Sequence, residues 1–171
     1  MILQAAWISA VLASASPAPA VERPVLDVSL EPGLGLYVGQ GLPARCENSG
    51  CAAGPSLAAQ LGARVTPMID VIAGWRHVWS SDRPNRIDEP ALGVALWPSP
   101  VQTFLAARVY ATLGPILIPD HVGFEARVGG EFILFPARWG GAGIAGEVGL
   151  GLLRGSGIGS LHVGAVFHFR L

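Results

Sequence analysis

The feature that most limits how this chain can fold is a two-residue alternation that recurs about eight times. It is clearest in the last eleven residues. Leu161, Val163, Ala165, Phe167, Phe169 and Leu171 alternate there with His162, Gly164, Val166, His168 and Arg170. Successive side chains of a strand point to opposite faces, so such a stretch is a ribbon with one apolar and one mostly polar face. Further segments repeat the pattern at Leu26–Val38, Leu57–Val65, Ile69–Trp79, Ala91–Trp97, Val101–Leu113, Val122–Leu134 and Ala142–Leu152. Gly and Pro recur inside nearly all of them, and each weakens a helix. The alternation is weakest at Ala91–Trp97, and Pro32 interrupts the first segment. Proline is confined to edges and bulges of sheets, so a bulge is expected there.

Composition narrows what the greasy faces touch. Of 171 residues 51% are hydrophobic and 13% charged, with a mean hydropathy of +0.48. After the first twenty residues no apolar run is long enough for a membrane helix. Hydrophobicity spread over alternating short strands is the profile of a transmembrane barrel. A net charge of −1 gives no reason to expect nucleic acid as a partner.

Residues 1–20 read as a secretory signal peptide, with an apolar segment from Ala5 to Ala13 and an Ala18-Pro19-Ala20 cleavage pattern. Residues 21–171 then form the barrel. In an exported chain the close pair Cys46 and Cys51 reads as a disulfide that stiffens a loop tip. It closes so short a loop that it contributes at most roughly 2 kcal/mol. No metal site is expected, because two cysteines without nearby histidines do not make a tetrahedral set.

The polar connections expected from the sequence are Gly39–Pro55, Ser80–Pro90, Gly114–His121 and Arg154–Gly159, with tight turns at Thr66–Met68 and Pro98–Pro100 and a longer turn at Pro136–Gly141. Ile116-Leu117-Ile118 fits a solvated loop poorly and either closes the third of these loops or extends the fifth strand. Through the first five, long connections thus alternate with short ones, as in barrels with long outer loops and short periplasmic turns, while the sixth and seventh are similar in length. Large aromatics near strand ends, Trp75, Trp79, Trp97, Phe132, Phe135, Phe167 and Phe169, are the expected girdle residues.

With these features the chain resembles the small eight-stranded outer-membrane β-barrels, the class of OmpX and the membrane part of OmpA. The ending Ala165-x-Phe167-x-Phe169-x-Leu171 is similar to the signal read by the barrel assembly machinery, although Leu171 stands where an aromatic is usual. The resemblance implies an all-β, antiparallel, up-and-down transmembrane barrel in the bacterial outer membrane. It implies a monomer, with membrane lipids and the assembly machinery as its partners.

If the apolar faces look outward, the polar faces line a lumen just wide enough for side chains to fill. The residues expected there are Glu31, Arg64, Asp70, Arg76, Arg108, Glu125, Arg127, Glu131, Glu147, His162 and His168, with Asp27 and Arg170. Isolated buried charges are costly, so these must pair or be hydrated. The expected outcome is an ion-pair network that plugs the lumen.

Three other readings compete: a narrow pore, a lipid A-modifying enzyme on the same barrel, and a soluble lipocalin-like barrel with its apolar faces turned inward. For an enzyme, Ser160, His162 and Glu147 are the nearest thing to a nucleophile, base and acid. Hairpin pairing about the expected last loop, however, sets Glu147 nearer His168 than His162. No cofactor and no catalytic residue is expected. The role left for the chain is structural or surface-interacting, carried by Gly39–Pro55 and Ser80–Pro90.

Overall fold

The computed structural model describes residues 26–40, 42, 50–80, 85–98, 104–137 and 139–171. Eight strands close into one antiparallel barrel in chain order. They are β1 (Leu26–Gly39), β2 (Gly50–Thr66), β3 (Ile69–Trp79), β4 (Arg86–Leu96), β5 (Leu105–Ile118), β6 (His121–Ala137), β7 (Gly140–Leu153) and β8 (Ser156–Arg170). Both β1 and β8 open onto one rim, called here the near rim; the opposite end is the far rim. The proposed signal peptide and Cys46 lie outside the described residues.

Cross-strand pairing fixes the barrel's geometry. From Leu26 the register runs through Ala63, Val71, Val94, Ala111, Val128, Val148 and Leu161, and re-enters β1 at Leu36. One circuit therefore climbs ten residues, a stagger that goes with strands tilted by about 40°. Every residue on that circuit is apolar, and nearly all the large ones are exposed on the outer wall.

The direction of the faces decides between the barrel types. Leucines and valines such as Leu34, Leu61, Leu92, Val128, Leu150 and Val163 look outward, while Glu31, Arg76, Glu89, Arg108, Glu125, Arg127, Glu131 and Glu147 are buried inside. A soluble binding barrel has the reverse polarity, so the lipocalin-like reading is overturned.

Several sequence-based boundaries are corrected. β2 begins at Gly50 and β4 at Arg86, so the two expected loops shrink to 40–49 and 80–85. Ile116-Leu117-Ile118 belongs to β5, and Ser156–Gly159 to β8. The long–short alternation of connections does not hold, since the fifth and seventh are two-residue turns. At Pro119-Asp120 the aspartate takes φ 69°, and at Arg154-Gly155 both residues have positive φ, 55° and 76°. Positive φ at both central residues is the requirement of a type I′ hairpin turn, whose twist matches that of the strands. No bulge occurs at Pro32; register is kept on both sides, with pairing to β8 lapsing only between Leu30 and Gly33. The bulges lie instead at Arg64/Thr66 and Leu134/Ala137.

Candidate functional site: the lumen

The lumen is built in layers. At the far rim Tyr37, Ala52, Val78, Ile87, Ile116, Ile118, Leu153 and Ile158 pack with Leu42 into an apolar cap. At the near rim Trp97, Ala106, Ile133, Phe135 and Val166 form a second cluster. The charged residues lie between the far cap and this near-rim cluster or interleave with the latter. Sequence reasoning missed the far cap because these residues are scattered singly over seven strands and the first loop.

The larger charged layer belongs to the far half. Arg76 hydrogen-bonds Glu147 and stands 3.5 Å from Glu31 and 3.8 Å from Glu89. Arg127 donates to Glu89 at 2.6 Å and lies 3.7 Å from Glu125. Three neutral side chains complete the acceptors: Tyr37 donates to Glu89 at 2.6 Å, Gln60 to Glu31 at 2.9 Å and Ser160 to Glu125 at 2.6 Å. Glu89 is the hub of this layer. It was missed because Arg86-Ile87-Asp88-Glu89-Pro90 has a loop's composition; only the alternation of Ile87 with Asp88 hinted at a strand.

The second layer lies toward the near rim. Glu131 accepts from Arg108 at 2.7 Å and meets His168 Nε2 at 2.6 Å. Trp97 donates its indole N–H to Asp70 at 2.6 Å. Arg108 lies over the rings of both Trp97 and Tyr110. Arg64 is the cross-strand partner of Asp70, and Asp27 of Arg170. All the residues expected in the lumen thus lie on the inner face. Beside the far layer two cavities remain, of about 10 Å³ and 20 Å³, each near the size that holds a single water.

Trp97 requires a correction. It is 1% exposed and fills the lumen rather than the girdle, because it keeps the inward phase of Ala95; Phe135 likewise keeps the inward phase of Ile133 and packs in the near-rim cluster, not in the girdle. Trp75 and Trp79 are exposed toward the far rim, and Phe132, Phe167 and Phe169 toward the near rim, which also exposes Phe104 and Trp139. Glu147 is the direct partner of His162, not a neighbour of His168, because the last hairpin turns two residues earlier than expected. The three side chains still make no relay. Ser160 gives its hydrogen bond to Glu125, and neither ring nitrogen of His162 has a hydrogen-bond partner, Nε2 standing 4.0 Å from Glu89 rather than against Glu147.

This fold and this outward apolar wall define an eight-stranded transmembrane barrel of the outer-membrane type. No family model and no curated protein sequence matches the chain. Its fold is similar to that of Neisserial surface protein A, with a TM-score of 0.66 at 9% identity over 85% of this chain and 97% of the other. It is also similar to the N-terminal barrel of Pseudomonas aeruginosa OprF, with a TM-score of 0.52 at 14% identity over 84% and 97%. The attachment invasion locus protein Ail of Yersinia pestis gives 0.51 at 12% identity over 84% and 98%.

Proposed function

We propose that the protein resides in the bacterial outer membrane as a monomeric, non-enzymatic barrel with a closed lumen, and serves a structural or surface-interaction role. The observation that carries this reading is the layering: charged groups paired with one another behind an apolar cap at one mouth and an aromatic-rich cluster at the other. Removing one member of such a buried pair costs about 3–5 kcal/mol, because the charge left behind is uncompensated. The near rim is assigned to the periplasm and the far rim to the outside. A surface role then falls to segments 40–49 and 80–85, with a Cys46–Cys51 disulfide stapling the first. The likeness to a surface protein and an attachment protein is in keeping with that role. The C-terminal strand, with Phe167 and Phe169 turned outward, is the proposed contact with the assembly machinery.

Two measurements test the reading. In planar bilayers the purified protein gives no conductance steps; porin-like steps would remove the closed lumen. On intact cells an epitope inserted within 40–49 is labelled and one at Pro67–Met68 is not. The opposite labelling would invert the assignment of the rims.

A further inference from the structure

The outer wall carries one polar island. Apart from Thr66 at the turn into β3, the only polar residues that the eight strands turn outward are His77, Arg86 and Asp88. They are contiguous. His77 is the cross-strand partner of Asp88, and Arg86 that of Trp79. Register and tilt set His77 and Asp88 near the height of Leu36, Leu150 and Leu161 on the other side of the barrel. Those positions are apolar, so a headgroup level alone does not require charge here.

The island is also ordered. His77 Nδ1 meets Asp88 Oδ1 at 2.6 Å, and the Trp75 indole N–H donates to the same oxygen at 3.2 Å. The Trp79 ring packs edge-on against His77, with centroids 4.4 Å apart. The side chains of His77 and Asp88 are only 27% and 18% exposed. With Nδ1 committed to the carboxylate, the other ring nitrogen, Nε2, is turned away from Asp88. Arg86, exposed on the same face two residues before Asp88, adds a guanidinium, the side chain best suited to a phosphate. Two tryptophans flank the pair, with their apolar bodies on the lipid side.

We propose that this island is a binding site for the phosphate of a membrane lipid, with the Arg86 guanidinium as one donor, the His77 ring, oriented through Nδ1 by Asp88, adding Nε2–H as a second donor in its imidazolium form, and Trp75 and Trp79 holding the glycerol or sugar end of the acyl chains. A carboxylate-oriented imidazolium beside an arginine presents two cationic donors to one anion, whereas a simple interfacial anchor would need neither. The proposal rests on the outer wall facing a bilayer.

The experiment is native mass spectrometry of the full chain in neutral detergent, titrated with a phosphatidic acid and separately with a diacylglycerol of the same chains. One phosphatidic acid is expected to bind at least tenfold more tightly than the diacylglycerol. Arg86→Gln with His77→Gln is expected to abolish that preference, and Asp88→Asn to weaken it. Leu150→Gln, on the opposite wall, should leave it unchanged. Heat-modifiable gel migration identifies the variants that fold, and Arg86→Gln alone serves if the double variant does not. Equal preference in the wild type and the folded variants overturns the site. Competition by millimolar inorganic phosphate that strips the lipid assigns the site to a free anion instead. A chain that stays soluble without detergent overturns the membrane reading, a result distinct from both.

Discussion

Glu131→Gln is the substitution that tests the near-rim layer most directly. Both oxygens of Glu131 are used, one by Arg108 at 2.7 Å and the other by His168 at 2.6 Å, and the residue is 1% exposed. The amide keeps the shape and loses the charge. Arg108 is then left buried beside Trp97 and Tyr110, whose ring faces recover only part of the loss. Breaking a buried pair by neutralising one member costs about 3–5 kcal/mol. Since domains of this size are stable by about 5–15 kcal/mol, the variant should lose a large share of its stability.

The assay is urea unfolding in lipid vesicles, followed by tryptophan fluorescence and gel migration, with Arg108→Met and the double variant completing a cycle. Glu131→Gln should lower stability by about 3–4 kcal/mol. The double variant should be more stable than the sum of the singles by about 1–3 kcal/mol, because no orphaned charge remains. A single-variant loss under about 1 kcal/mol, or strict additivity, would refute the claim that these ions are mutually dependent.

Other substitutions and probes reach different parts of the barrel. A Cβ added at Gly143 would collide with the Phe132 carbonyl, whereas at Gly157 it would meet nothing; Gly143→Ala should therefore cost about 1–3 kcal/mol and Gly157→Ala about 0.5 kcal/mol or less, read in the same unfolding assay. Brominated lipids should quench Trp75, Trp79 and Trp139 in single-tryptophan variants and spare Trp97; strong quenching of Trp97 would put it back on the outer wall. Pairing of β4 with β5 lapses between Asp88↔Leu117 and Leu92↔Leu113, where Pro90 and Pro115 both lack an N–H. The amides that flank this gap and face it, Leu92 and Leu117, should accordingly exchange faster than those of Leu96 and Val109 farther along the same seam, and equal protection would count against this weak seam.

Face direction was legible because alternation is a property of each strand alone. Leu161 to Leu171 and Ile69 to Trp79 could be read without neighbours, and the direction of their apolar faces followed from composition. What could not be read depends on partners or on turn length. Ile87 and Glu89 belong to a strand because β3 pairs with them, not because Arg86–Pro90 has strand composition. Glu147 reaches His162 because Arg154 adopts a left-handed φ that few non-glycine residues take. Gly155-Ser156-Gly157 therefore looked like a loop centre, whereas Gly155 ends the turn and Ser156-Gly157 start β8. His77 and Asp88, eleven residues apart, became a pair only once the third connection was known to be six residues long.

Alternation alone leaves one ambiguity that the lumen resolves. A strand that slips by one residue turns its charges to lipid, and the cost forbids it. A slip by two preserves every face and so escapes that control. The charged residues are placed where such a slip would be felt, because opposite charges are direct register partners across four seams: Asp27 with Arg170, Arg64 with Asp70, Arg76 with Glu89, and Arg108 with Glu131. Moving any of these strands by two residues sets a charge opposite a neutral residue on the buried inner face, where an unpaired ion is costly. A buried network need not be more stabilising than an apolar filling to be useful. In this barrel its contribution is to select one alignment among those that the apolar wall accepts equally.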